Sequence, residues 1–225
     1  MASTKTVGVL ALQGDFEAHR KALEHAGANV AEVRTAAQLD AIDGLIIPGG
    51  ESTTMLKVLE YEGMFEPLRQ FGLEKPIFGT CAGAILIARS VTNPVQASLN
   101  LMDIEVERNA YGRQMDSRVV KLPAPQWSDA PSYCGASFSL AREGSTLNGG
   151  APASSFSSAV PPLDGKIEAV FIRAPIIRKT GPGVKVLASY LDLPVFAEEG
   201  RHLVATFHPE LTSDSRVHRY FVEKL

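Results

Sequence analysis

The chain has 225 residues, 45% of them hydrophobic, and a formal net charge of −3. That length and apolar fraction suit the core of one large α/β domain, and a charge so near neutral gives no electrostatic basis for binding nucleic acid or an anionic membrane. Its two cysteines, Cys81 and Cys134, are too few for a disulfide framework, so both read as free thiols, Cys134 as an unreactive one.

The start, Met1 to Lys5, is short and polar, and the apolar run Val7 to Leu12 is too short for a secretory core. No run approaches the roughly 18 apolar residues that span a bilayer. The expected location is a reducing cytoplasm.

Val7 to Leu12 reads as a first strand. Phe16, Ala22, Leu23 and Ala26 then mark one face of a helix that Gly27 stops. Asn29 to Arg34 is a second strand, and Leu45 to Ile47 a third that ends at Pro48-Gly49-Gly50. Ser52 or Thr53 is the expected cap of a helix carrying Met55, Leu56 and Leu59. Pro76 to Phe78 is a fourth strand, and Ala82 to Arg89 reads as helix. Strand and helix alternating in this way predict a mostly parallel sheet covered on both faces.

The second half is richer in strands. Leu101–Glu107, Arg118–Leu122, Ile167–Ile172, Val184–Tyr190, Val195–Ala197 and His202–Phe207 lie close together, so part of this half is expected to be antiparallel. Thr212 to Lys224 closes the chain as a helix. From about 123 to 165 the sequence is rich in proline and serine and carries the only tryptophan, Trp127. That stretch reads as a loop insertion within a single domain of residues 1–225.

Chemistry concentrates at Gly79-Thr80-Cys81-Ala82-Gly83, between an apolar strand and a helix. This is the setting of a nucleophile elbow with cysteine in the serine position. Glycines on both sides make room for a strained backbone at Cys81, the helix N-terminus favours a thiolate, and the Ala82 N–H points where an oxyanion would form. A buried cysteine in a glycine-rich turn is the plain alternative. What favours the catalytic reading is Phe207-His208-Pro209-Glu210 at the end of a late strand. A thiol with an unperturbed pKa of about 8.5 needs a base, and the base needs an orienting group. Proline biases His208 toward extended geometry, in which His208 and Glu210 point the same way. His19, His25, His202 and His218 lack such a setting and read as surface or satisfied core histidines. After the third strand, Gly50 offers a backbone N–H as a second oxyanion donor.

Gly-Gly after the third strand, the cysteine elbow and a late His-Pro-Glu, in that order, resemble the class I glutamine amidotransferases. Within them the chain is most similar to the glutaminase subunits of the two-component pyridoxal 5'-phosphate synthases. The stretches 8–14, 48–54, 107–114 and 171–175 carry that similarity. The resemblance implies a three-layer fold and a Cys81-His208-Glu210 triad acting on glutamine. It places substrate binding at Gly50, Glu51, Ser52, Arg108, Ile172 and Arg173. It puts Gln13 beside an oxyanion hole that also takes Gly50 and Ala82. It implies no metal and no cofactor, pyridoxal 5'-phosphate being the product of the complex. The implied partner is a barrel-shaped synthase subunit in a hetero-oligomer that receives the ammonia. The competing readings are a glutaminase of another biosynthetic amidotransferase, a cysteine peptidase and a binding module without catalysis. Against the family pattern, the stretch between Gln114 and Phe171 is long.

Overall fold

A computed structural model of the chain describes residues 5–109, 117–123 and 165–225. Five parallel strands form the centre of a seven-stranded sheet. They are β1 (Thr6–Leu10), β2 (Asn29–Val33), β3 (Gly44–Ile47), β4 (Ile77–Thr80) and β12 (His202–Ala205). Their order is β12-β4-β3-β1-β2, and β10 (Lys185–Tyr190) and β11 (Leu193–Glu199) extend the β12 edge antiparallel. Consecutive residues of the central strands face opposite sides, and both sides are buried. Leu45 and Ile47 enter one core while Ile46 enters the other, the double burial that a parallel sheet needs.

On the first face lie α2 (Ser52–Tyr61), α3 (Phe65–Glu74) and α4 (Ala82–Ile87), through Met55, Leu59, Leu68 and Leu86. On the second lie α1 (Phe16–His25) and α5 (Arg216–Glu223), through Leu23, Val217 and Phe221. The expected three-layer α/β arrangement is therefore present. Two smaller sheets flank it. One orders β5 (Ala88–Thr92), β6 (Met102–Glu107) and β9 (Ile176–Thr180) as β5-β6-β9, and the other pairs β7 (Ser117–Pro123) with β8 (Lys166–Ile172). The antiparallel pairs β6–β9, β7–β8, β10–β11 and β11–β12 all fall in the second half.

Four local expectations change. Glu51, not Ser52 or Thr53, caps α2, because its carboxylate accepts from the N–H groups of Thr53 and Thr54. The helix after the elbow stops at Ile87, because Ala88 to Thr92 pair with β6 as a strand. α3 and β9 are elements that the sequence reading does not name. α3 holds Pro67 in its first turn, where proline is tolerated. It also holds Gly72, where a Cβ would lie 2.4 Å from Leu101 Cδ1. The glycine that weakens the helical signal is there because the side chain of Leu101, just before β6, packs against it. Trp127, Cys134 and nearly all of the 123–165 stretch lie outside the described residues.

Candidate active site

Cys81 links β4 to α4 with φ 47° and ψ −101°. Positive φ is rare for a residue with a Cβ, and here the chain on both sides over-determines it. The Cys81 N–H donates to Ala205 O of β12 at 2.8 Å. A Cβ at Gly79 would lie 2.5 Å from the Gly83 carbonyl, and one at Gly83 would lie 2.1 Å from Ile47 O. The glycines flanking Cys81 are thus required by the tightness of the bend, as expected. Ala82 opens α4, so its N–H is among the first-turn donors without an intrahelical acceptor.

His208 arrives from the end of β12, its N–H donating to Val170 O of β8 at 2.8 Å. Its Nδ1 lies 2.7 Å from Glu210 Oε1. The pairing is as expected, but the backbone is not extended. Pro209–Leu211 form a 3-10 turn for which His208 is the N-cap, with φ −107° and ψ 87°. A turn brings side chains two residues apart together where a strand would hold them parallel at greater spacing. Glu210 and His208 are both buried. Burial opposes the imidazolium, but hydrogen bonding and charge from Cys81 and Glu210 outweigh it, raising the His208 pKa to about 10. Burial likewise opposes the Glu210 carboxylate, yet His19 and His208 hold its pKa below the ordinary value. Both shifts favour the charged pair, imidazolium against carboxylate.

Cys81 and His208 open into one cavity of about 250 Å³, whose wall includes Gly50, Glu51, Ser52, Arg108, Ile172 and Arg173. Every residue assigned to substrate binding from the sequence reaches this cavity. Arg108 is buried and donates to Thr53 Oγ1 at 2.6 Å, with Glu51 Oε1 at 3.5 Å. The Glu51 carboxylate is half-exposed and committed to the N-terminus of α2. Against the cost of its partial burial, bonds from Thr54 and Thr53 lower its pKa to about 2. Ser52 is buried, its hydroxyl 3.2 Å from Gln96 Oε1. Gln13 packs on Gly50, whose φ is +156°, so that a Cβ there would lie 2.3 Å from Gln13 Oε1.

A family model for the SNO glutamine amidotransferase family matches residues 9–130 and 150–225. The chain belongs to that family. A pyridoxal 5'-phosphate synthase subunit PdxT from Solibacter usitatus is 54% identical over 222 residues, covering 98% of this chain and 100% of the relative. Another from Koribacter versatilis is 47% identical over 217 residues, covering 96% and 94%. A solved glutamine amidotransferase superposes with a TM-score of 0.75 at 39% identity, over 97% of both chains.

The amidotransferase site also holds residues that the sequence reading missed. Ile85, Asn109 and Pro175 complete the cavity wall. Asn109 and Arg173 of the cavity lining both have positive φ, 51° and 43°, a conformation asparagine tolerates and arginine rarely adopts. Asn109 and Pro175 had a signal in lying within the family-like stretches 107–114 and 171–175; Ile85 had none. The larger omission is His19. It is fully buried behind the triad, with Nε2 3.3 Å from Glu210 Oε2. Among the described residues no group of three or more His, Cys, Asp or Glu is disposed to hold a metal ion. No described helix is long and apolar enough to cross a membrane.

Proposed function

We propose that Cys81, His208 and Glu210 are the catalytic triad with which this amidotransferase hydrolyses L-glutamine to L-glutamate and ammonia. The observation that carries the reading is a cysteine held at positive φ on a strand-to-helix bend, sharing a cavity with a histidine bound to a buried glutamate. Arg108 and Arg173 supply positive charge for the α-carboxylate of the substrate. Sγ attacks the side-chain amide carbon, and the N–H groups of Ala82 and Gly50 receive the oxyanion. The protonated His208 delivers its proton to the departing nitrogen, which leaves as ammonia. His208 then takes a proton from water, which attacks the thioester and releases glutamate and the thiol. Sulfur, imidazole and backbone donors supply this chemistry, so the reading assigns no metal and no cofactor.

The relatives are subunits of pyridoxal 5'-phosphate synthase, and ammonia feeding that synthase is the function of this chain. The reading extends to a barrel-shaped synthase partner in a hetero-oligomer, a cytoplasmic location suited to a free thiol nucleophile, and one glutaminase domain spanning residues 1–225. Gln13 and the Gly49-Gly50 peptide pack together beside the cavity, where docking of the synthase can complete the oxyanion hole. The test is glutamate and ammonia release from glutamine by the wild type and Cys81→Ala, with and without the synthase subunit. Release that needs Cys81 and rises with the partner supports the reading. Release by Cys81→Ala at the wild-type rate overturns the triad, and equal wild-type rates with and without the partner overturn the docking step.

A further inference from the structure

Behind the triad lie two fully buried histidines that the mechanism does not use. His19 comes from α1 and His218 from α5, and both have no exposed surface. His19 Nδ1 lies 3.0 Å from His218 Nε2. His19 Nε2 lies 3.0 Å from Thr80 Oγ1 and 3.3 Å from Glu210 Oε2. Thr80 directly precedes Cys81. Glu210 spends Oε1 on His208, and its buried Oε2 has no hydrogen-bond partner, His19 Nε2 standing 3.3 Å away without hydrogen-bond geometry.

The tautomers follow from what each nitrogen faces. His218 Nδ1 is buried without a partner. A bare lone pair is the cheaper orphan there, since a buried N–H without an acceptor is the rarer and costlier defect. The hydrogen of His218 therefore sits on Nε2 and is donated to His19 Nδ1. The hydrogen of His19 is then on Nε2, donated to Thr80 Oγ1, with Glu210 Oε2 beside it at 3.3 Å. The reverse arrangement would turn the Nε2 lone pair of His19 toward a carboxylate 3.3 Å away and leave an orphan N–H on His218. Burial, the largest influence on both rings, favours their neutral forms. The charged and titratable groups around His19 are Glu210, His208, His218 and Asp15.

We infer that His19 is a positioning residue of this amidotransferase: its Nε2–H, bonded to Thr80 and 3.3 Å from the far oxygen of Glu210, braces that carboxylate by its positive edge, and His218 fixes the tautomer that makes this possible. The inference rests on the triad reading above. Held at Oε1 by His208 alone, a buried carboxylate can rotate about its own bond, and the imidazole rotates with it. A positive edge beside Oε2 fixes the carboxylate plane, and so the direction in which His208 faces Cys81.

Two substitutions test this in the complex with the synthase subunit. His19→Leu keeps the bulk and removes the donor. It is expected to lower kcat about tenfold, the worth of one polar contact to a charged group, with KM for glutamine within about twofold because His19 does not line the cavity. His19→Gln, whose amide N–H reaches toward the same oxygen, is expected to recover most of kcat. Nitrogen-15 spectra of the histidine-labelled chain at pH 7 should show His19 and His218 as neutral Nε2–H tautomers, and His218→Phe should shift His19 away from that state. That spectrum carries the test should His19→Leu not fold. A wild-type kcat in His19→Leu, equal losses in Leu and Gln, or an Nδ1–H tautomer at His19 would each overturn the inference. If Cys81→Ala abolishes ammonia release while His19→Leu matches the wild type, only the bracing role fails. If Cys81→Ala is fully active, the triad reading itself is what fails.

Discussion

A single methyl group at residue 49 is enough to displace the proposed general acid. A Cβ built on Gly49 lies 2.4 Å from Cε1 and 2.9 Å from Nδ1 of His208, and 3.3 Å from Cβ of Cys81. Ordinary carbon contacts are about 3.5 Å or more, so the ring must retreat by about 1 Å. It cannot do so freely, because its Nδ1 is held at 2.7 Å by Glu210 and its backbone N–H at 2.8 Å by Val170 O. Nor does the backbone at 49 have slack, since its carbonyl oxygen lies 1.9 Å from where a Cβ on Gly14 would stand. A misplacement of about 1 Å near reacting atoms costs on the order of 100-fold in rate, or about 2.7 kcal/mol of transition-state stabilisation. Gly49→Ala is thus expected to lower kcat about 100-fold, with a smaller effect on KM, because residue 49 does not line the cavity. The assay is glutamate release by the complex with the synthase subunit, with alkylation of Cys81 by iodoacetamide as a direct readout of the thiol and thermal melting to confirm folding. A folded Gly49→Ala within threefold of the wild-type kcat would refute the geometric argument.

Two further expectations concern the substrate end and the core. Arg108→Met should raise KM for glutamine about tenfold or more with a smaller change in kcat, since it removes a charge from the cavity wall and none of the triad; steady-state kinetics decide, and an unchanged KM would remove Arg108 from the binding role. Stability should fall as pH drops from 7 to 5. His202, its pKa lowered to about 4, and His218, lowered to about 3, stay neutral in the folded chain mainly because they are buried. In the unfolded chain they titrate near 6.5, so below that value the unfolded state binds more protons and gains. At pH 5 each contributes a loss of roughly 2 kcal/mol. His208 has the opposite sign: its raised pKa stabilises fully below about 6.5, and that contribution fades only as pH rises toward about 10. Urea unfolding midpoints at pH 7 and pH 5 measure the fall, which should shrink in His202→Phe. Equal midpoints would contradict the buried-neutral assignment.

What the sequence by itself determined was local chemistry. Strand runs, the bend around Cys81 and the His208-Pro209-Glu210 segment are legible because backbone sterics, turn chemistry and hydrophobic period act over a few residues. Even Gly79 and Gly83 were readable, since a tight bend must exclude Cβ atoms wherever it occurs. Tertiary structure alone decided which groups meet. His19 looked like any helical histidine, yet it lies against a glutamate that follows 191 positions later in sequence, as 210 − 19 gives. Gly49 is crowded by an imidazole from the far end of the chain, and Glu51, which looks like part of a binding loop, spends its carboxylate on capping α2. β5 and β9 are strands because β6 lies between them to pair with both. Whether a polar side chain is buried, which donor faces it and where its proton resides depend on elements brought together by sheet order and core packing, and those contacts have no signature in the neighbouring residues.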